Sequence, residues 1–320
     1  MSLSIIIPHY NNTDLLEKLL VSIPQANKEI QIIVVDDKSD LFYLKKIKDL
    51  KTKFDFELYH NNKNKSAGMC RNIGFEKAKN IWVTFADGDD YFVKDFYDKA
   101  KIFFDIDLDV IFFAPTSQYL DTGKIADRHE SFLAIIQNYL NHKNKKNEFM
   151  LRYNFISTWS KIMRKEFMIK HNIKFDEGPM GAEDVMLSTK IGHFMKKFHV
   201  TKDVIYCRIV RYGSVTRIFN ENQFDIRLHA RVSRIKFLNA NLKKNEIELI
   251  MKPLIYNKAS EFLILSLRRF GFKKFKEVYN LYQRENIKWF RIIYLNPIKL
   301  FKYLLNVVHN YIKNNSYNVK

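Results

Sequence analysis

Three aspartates, Asp87, Asp89 and Asp90, crowd into four positions of the stretch IWVTFADGDDYF, residues 81–92. Carboxylates this close repel one another and raise one another's proton affinity, a cost that a nearby cation or dipole offsets. On its own the tetrad DGDD reads as a solvated turn after a strand, since Asp and Gly are ordinary turn residues. An EF-hand loop is excluded by spacing: from Phe85 to Tyr97 the only acids are Asp87, Asp89, Asp90 and Asp95, with no Glu at the twelfth loop position. Two further acidic pairs could do chemistry, Asp36–Asp37 at the end of EIQIIVVDD and Glu183–Asp184 in GPMGAEDVMLSTKIG. Alone, the second pair reads as the acidic first turn of a helix, where carboxylates oppose the macrodipole.

The pattern around these residues shows what must position them. LSIIIP, EIQIIVVDD, FDFELYHN and IWVTFAD are short apolar runs of strand type. DLLEKLLVSIP, LFYLKKIKDLKTK and SAGMCRNIGFEKAKN lie between them with apolar residues at helical spacing. This alternation predicts a mostly parallel sheet flanked by helices. Ligands of such sheets bind outside the carboxyl ends of the strands, so Asp36–Asp37 and the DGDD turn are expected to line one crevice. A carboxylate pair there suits a hard divalent cation, Mn2+ or Mg2+, whose shell is completed by substrate phosphate oxygens. Farther on, DVIFFAP reads as a strand, SQYLDTGKI as a hairpin turning on Asp121–Thr122–Gly123, and HESFLAIIQNYLNHK as a helix. NKKNE follows as a polar linker. TWSKIMRKEFMIKHNIKF and GAEDVMLSTKIGHFMKK suggest a strand, helices and an acidic turn, and from residue 221 the chain reads as helical to its end.

SIIIPHYNN, VVDDKSD, KSAGMCRNIG, VTFADGDD and GAEDVMLS, in this order and at these separations, resemble the family 2 glycosyltransferases of the GT-A fold, over residues 4 to about 220. The resemblance implies an α/β, Rossmann-like, mostly parallel sheet flanked by helices. Residues 1–105 would be the nucleotide-sugar-binding half, 106–220 the acceptor-binding and catalytic half, and 221–320 a basic helical carboxyl-terminal region. It implies a metal-dependent inverting transfer from a nucleotide-sugar, expected to be UDP-linked, to a hydroxyl of a glycan or lipid-linked acceptor in bacterial surface polysaccharide synthesis. By the same resemblance Pro8 and Tyr10 shape the uridine pocket, Asp37 accepts from the uracil N3–H, and Arg71 lies against base or phosphates. Asp87 would contact ribose or donor sugar, Asp89 would be the metal ligand of the DxD motif, and Asp90 would support it. Asp184 would be the base that takes the acceptor proton, with Glu183 an acceptor-site or structural neighbour. Residue chemistry agrees: a carboxylate suits an imide N–H, and an arginine on the helix after the third strand can satisfy both a buried acid and a nucleotide.

Trp159-Ser160-Lys161 resembles the strand preceding the base in many family members, with Trp159 expected as core or acceptor wall and Lys161 able to approach phosphate oxygens. The stretch YCRIVRYGSVTR departs from the family. Members often carry a metal-binding His three residues before the Ser, but counting back from Ser214 gives Arg211, a cation that cannot ligate a metal. Arg211 is therefore expected either to contact the diphosphate or to sit on a shifted loop.

Composition bounds the rest. The chain of 320 residues is 47% hydrophobic, enough for a large core. Its only cysteines, Cys70 and Cys207, have no disulfide or zinc spacing. MSLSIIIPHYNN lacks a basic leader and no apolar run reaches the roughly 18–20 residues of a membrane span, so a cytoplasmic protein is expected. The net charge of +19 is uneven: residues 221–320 carry 20 Lys and Arg against 7 Asp and Glu, which places +13 there. RRFGFKKFKEVY and NPIKLFKYLLNVVHNYIK mix cations with a wide apolar face, as expected of peripheral attachment to an anionic inner-membrane surface. A sugar nucleotidyltransferase would need a Gly-rich loop where PHYNN stands. A non-enzymatic membrane- or nucleic-acid-binding protein would explain the charge but not the ordered acidic motifs; no nucleic-acid partner is expected.

Overall fold

The computed structural model describes residues 3–61, 66–126, 130–176, 183–211, 220–243, 245–247 and 256–287. The chain forms two compact units, Met1–Ala230 and Arg231–Lys320. In the first, β1 (Leu3–His9), β2 (Ile30–Asp36), β3 (Glu57–His60) and β4 (Trp82–Phe85) run parallel. The crossovers between them carry α1 (Thr13–Val21), α2 (Leu41–Lys53) and α3 (Ala67–Lys77), the elements expected from the hydrophobic spacing. The strands are near-continuous apolar runs because both sheet faces are covered. On β1 the side chains alternate: Leu3, Ile5 and Ile7 enter one core cluster and Ile6 enters the other.

After β4 come β5 (Tyr91–Phe92), α4 (Phe96–Lys101), β6 (Val110–Phe112), β7 (Thr116–Tyr119), α5 (Glu130–Asn141) and α6 (Lys145–Asn154). Then follow β8 (Lys161–Arg164), α7 (Lys165–Lys170), α8 (Glu183–Phe194), β9 (Phe198–Val200) and β10 (Tyr206–Val210). The main sheet has the order β3-β2-β1-β4-β8-β6-β9, with β8 antiparallel to both its neighbours. The chain leaves β1 toward β2 and β3, then returns to β1's other side as β4. The carboxyl ends of β1 and β4 thus flank a topological switch point, where open α/β sheets form their binding crevice. A second sheet, β5-β10-β7, begins directly after the DGDD turn. The expected hairpin at Asp121–Gly123 is present: Tyr119 N–H donates to the Lys124 carbonyl at 2.9 Å, and Gly123 takes φ +64°.

Two expectations need correction. NKKNE is not a linker but the start of α6: the Asn144 side chain accepts from Asn147 N–H at 2.9 Å, and Glu148 pairs with Arg152 one turn later at 2.7 Å. The boundary expected at residue 220 lies instead at Ala230, inside α9 (Glu221–Asn241), which runs across it. Residues 1–105 and 106–220 also share one sheet, since β4 pairs with β8. The second unit contains the end of α9 and α10 (Tyr256–Arg284). The segment NPIKLFKYLLNVVHNYIK lies outside the described residues. No described helix is long and apolar enough to cross a membrane.

Helix α8, which starts with Glu183 and Asp184, is seated on α6 through Gly192. A Cβ there would stand 1.8 Å from the Arg152 carbonyl oxygen, while Arg152 Nη1 donates to the carbonyls of Gly192 and Met195 at 2.8 and 2.7 Å. A methyl group at Gly192 must push the two helices apart. We expect Gly192→Ala to lower unfolding free energy by about 2–3 kcal/mol in urea titrations, as other overpacked contacts do. A loss below about 0.5 kcal/mol would show that α6 and α8 do not pack this closely.

Candidate active site

The carboxyl ends of β1 and β2 are joined by a buried polar cluster. Asp36 accepts from His9 Nδ1 at 3.0 Å, Ser39 Oγ at 2.5 Å and Ser39 N–H at 3.0 Å. Burial alone would raise this carboxyl, but the donors from His9 and Ser39 outweigh it and hold it below the usual range. Asp36 thus fixes the loop. Asp37 follows it, accepting from Asn61 Nδ2 at 2.7 Å, while its own N–H donates to the His9 carbonyl at 2.8 Å. The neighbouring Cys70 thiol is pushed up to about 12 by burial and then by Asp37. Tyr10 is half exposed just past β1. The DGDD turn crosses the backbone of Pro8, whose carbonyl oxygen lies 3.3 Å from where a Cβ on Gly88 would stand.

Each of the three crowded aspartates has a different partner. Asp87 Oδ1 takes the Arg71 Nη2 at 2.5 Å, and Asp89 Oδ2 takes the Arg211 Nε at 2.9 Å. Asp90 faces inward, with Oδ2 accepting from the Tyr206 hydroxyl at 2.8 Å and Oδ1 from Ile209 N–H at 2.7 Å. Burial first, then the charges of Asp87 and Asp89, raise the Asp90 carboxyl well above its ordinary value. The Tyr206 oxygen in turn accepts from Asp87 N–H at 2.8 Å. Tyr206 therefore ties the turn to β10, and Trp159 stacks on its ring with centroids 5.8 Å apart. Trp159 is accordingly buried wall. Asp90 spends both oxygens inside the protein and supports the turn from beneath.

Arg71 connects this turn to the second acidic pair. It projects from α3, whose N-cap Ser66 accepts from Met69 N–H. Only 4% of the residue is exposed, and its guanidinium lies 5.2 Å over the Phe175 ring. Besides Asp87 it reaches Glu183 Oε1 at 3.3 Å and Asp184 Oδ1 at 3.7 Å through Nη1. Burial disfavours the charged arginine, but Asp87, Asp184 and Glu183 together overcome it and raise its proton affinity. Gly68 permits this approach, since a Cβ there would meet the Glu183 and Phe175 side chains at 3.3 Å. Asn72 adds a two-way clamp on the Phe175 backbone, both hydrogen bonds being 3.0 Å. That clamp has no sequence signal beyond an amide beside Arg71.

Asp184 keeps 37% of its side chain exposed, while its Oδ1 is buried and accepts no hydrogen bond from the described residues. Its carboxyl is raised to about 7, first by burial and then by Glu183 and Asp87, against the opposing charges of Arg71 and Lys161. Lys161 corrects an expectation. Rather than reaching toward phosphate it is fully buried, donating from Nζ to the Phe155 carbonyl at 2.6 Å and to Ser188 Oγ at 3.2 Å. Burial lowers its ammonium to about 7.

Among the described residues no group of three or more His, Cys, Asp or Glu side chains is placed to hold a metal ion. The carboxylates of Asp89 and Asp87 nonetheless fit Mn2+ or Mg2+, which one or two carboxylates can hold when phosphate oxygens fill the shell. Burial and then Asp87 raise the Asp89 carboxyl above its ordinary value, a repulsion that a cation relieves.

Comparison with known proteins accords with this geometry. The family model described as Glycosyl transferase family 2 matches residues 4–171. The glycosyltransferase GlyA of Streptococcus pneumoniae is 25% identical over 74% of this chain, and the chain spans 34% of GlyA's length. The structure of Staphylococcus aureus TarS residues 1–349 in complex with UDP-GlcNAc superposes with a TM-score of 0.60 at 19% identity, covering 89% of this chain and 92% of the other. The mannosyltransferase PcManGT of Pyrobaculum calidifontis, in complex with GDP-Man and Mn2+, superposes with a TM-score of 0.56 at 13% identity, covering 99% and 88%.

Tyr206→Phe would leave Asp87 N–H without its acceptor and remove a donor from Asp90. We expect a loss of about 1–3 kcal/mol of stability in urea titrations, the cost of unsatisfied buried polar groups. An unchanged midpoint would mean that water replaces the hydroxyl and that Tyr206 does not hold the turn.

Proposed function

The chain belongs to glycosyl transferase family 2 and has the GT-A fold, and on that premise we propose that it is a metal-dependent inverting glycosyltransferase. It moves a sugar from a UDP-linked donor to a hydroxyl of a glycan or lipid-linked acceptor of a bacterial surface polysaccharide. One observation carries the reading: a single buried guanidinium, that of Arg71, contacts both the acidic turn and the Glu183–Asp184 pair. The donor-side and acceptor-side acids therefore border one place. The UDP-GlcNAc bound by TarS supports a UDP-linked donor, and the GDP-Man bound by PcManGT supports a nucleotide-sugar donor in general.

In this reading Asp37 accepts from the imide of the base, with Pro8 and Tyr10 beside the ring. Arg71 holds Asp87 toward the ribose or donor sugar. Asp89 would hold Mn2+ or Mg2+, which when bound offsets the charge on the diphosphate leaving group. Asp184 takes the proton from the acceptor hydroxyl as its oxygen bonds the anomeric carbon, and the carbon–oxygen bond to diphosphate breaks on the opposite face. Configuration inverts in one displacement. Glu183, paired with Arg71, keeps the base in place. The ion pair of Arg211 with Asp89 favours a second reading, in which the guanidinium itself turns to the diphosphate and supplies part of the charge compensation.

Asp184→Asn should lower kcat by about 10²–10⁴-fold, the usual contribution of a general base, with UDP affinity unchanged. Asp89→Asn should weaken Mn2+-dependent UDP binding by more than about tenfold. Equal losses of nucleotide binding in both variants, or in neither, would overturn the two assignments. Isothermal titration with and without Mn2+ separates these outcomes, and metal-independent activity abolished by Arg211→Met would favour the second reading.

The acid limb of the rate profile follows from the raised Asp184 carboxyl. The base works only when deprotonated, so kcat should rise with pH up to about 7 and level off above it. Arg71→Lys keeps a cation, whereas Arg71→Met removes the charge that lowers the Asp184 carboxyl. The limb should move to higher pH in the Met variant; a limb that stays in place would separate Arg71 from the base.

A further inference from the structure

The second unit carries a break at Gly271, where α10 bends with φ +82° and ψ −175°. A side chain is strained at such a φ, and a Cβ on Gly271 would find nothing within 4 Å, so the position serves the bend and not a close contact. The residues on either side are unusual for a solvated helix. Leu267 is 44% exposed before the break and Phe272 is 71% exposed directly after it. Phe272, Phe275 and Tyr279 stack in sequence at 6.0 and 6.4 Å, which makes an aromatic row along the second limb. Arg268, Lys273 and Lys276 are exposed around the break, and none makes an ion pair among the described residues.

We propose that the Gly271 elbow is a membrane-docking wedge for an anionic lipid surface, with Phe272 and Leu267 entering the headgroup–acyl boundary and Arg268, Lys273 and Lys276 lying on acidic headgroups. The mixture of side chains decides between occupants. A soluble polyanion would satisfy the cations but leave the two apolar side chains in water. A neutral apolar partner would bury the side chains but strand three cations. An anionic bilayer offers charge at the surface and hydrocarbon just beneath it, which matches both. The wedge draws only on residues of the second unit and stands whether or not the proposed transfer chemistry is correct.

The full chain is tested by sedimentation with phosphatidylcholine vesicles, with and without phosphatidylglycerol. We expect binding only to the phosphatidylglycerol vesicles, weakening as salt rises. Neutralising Arg268, Lys273 and Lys276 together to Gln should reduce binding about a hundredfold, near fivefold per charge, and Phe272→Ser about tenfold. These exposed positions lie outside the catalytic machinery, so transfer to a soluble acceptor should not change. Both native cysteines are buried, so Phe272→Cys can be labelled there with an environment-sensitive fluorophore. Its emission should shift to the blue on anionic vesicles and stay unchanged on phosphatidylcholine vesicles. The proposal is overturned by any of three results. These are no binding to phosphatidylglycerol vesicles at low salt, binding with the label at 272 still in water, or RNA or polyphosphate binding as tightly as the vesicles with no loss in Phe272→Ser.

Discussion

The buried Arg71 guanidinium is the constraint on which the site depends. A cation with 4% exposure survives burial only if carboxylates surround it, and Asp87, Glu183 and Asp184 do so from two segments more than ninety residues apart in sequence. The same contact solves the opposite problem for the acids. Three carboxylates converging on one place repel one another, and the guanidinium offsets that repulsion through close ion pairs to two of them, Asp87 and Glu183. Asp184 is the third. It is the farthest of them from the arginine at 3.7 Å, its Oδ1 accepts no hydrogen bond from the described residues, and its carboxyl is raised to about 7. One buried cation thereby fixes Asp87, while burial gives Asp184 the raised carboxyl that the proposed base role calls for.

The proposed base needs a helix that does not move, and α8 is anchored along its length by Arg71, Lys161 and Arg152. Arg71 holds its first turn. One turn on, Ser188 accepts from the buried Lys161 and donates to the Ile156 carbonyl at 2.9 Å. At its end Arg152 caps the carbonyls of Gly192 and Met195. The DGDD turn has the matching support on the other side, with Tyr206 and Ile209 gripping Asp90 from β10. The two acidic segments are therefore mounted separately, and Arg71 bridges them.

Much of this could be read in the sequence, and the parts that could not share a cause. The parallel sheet was legible because doubly covered strands are unbroken apolar runs and their crossover helices keep strict periodicity. The acidic turn and Glu183–Asp184 were legible because carboxylates beside apolar runs stand out by type. The direction of a side chain is a different kind of fact. Nothing local separates Asp90 from Asp89, yet one faces β10 and the other faces Arg211, because a turn reverses direction between adjacent residues. Lys161 looked like a phosphate contact because lysine is usually exposed; only the carbonyl of Phe155 and the hydroxyl of Ser188 explain its burial. Asp36 is expected with Asp37 to line the crevice, and its inward direction was not legible because its partner His9 lies far away in sequence. The start of α6 was missed because its amphipathic signal is weak and its capping Asn144 resembles a linker residue.

The two units use positive charge in opposite ways. Near the acidic cleft the arginines are committed: Arg71 to three carboxylates and Arg211 to Asp89. Under the proposed transfer a diphosphate arriving there would meet arginines already paired with acids, so its added charge would call for a counter-charge brought from outside or for Arg211 to be released. In the second unit Arg268, Lys273 and Lys276 have no such commitment among the described residues. Their field extends into solvent, decays over the Debye length of about 8 Å at physiological ionic strength, and acts on whatever anionic surface comes within that range. The formal excess of +19 is thus no measure of the acidic cleft, where Arg71 and Arg211 are paired with carboxylates. It belongs largely to residues 221–320, where Arg268, Lys273 and Lys276 act at longer range than any hydrogen bond in the cleft.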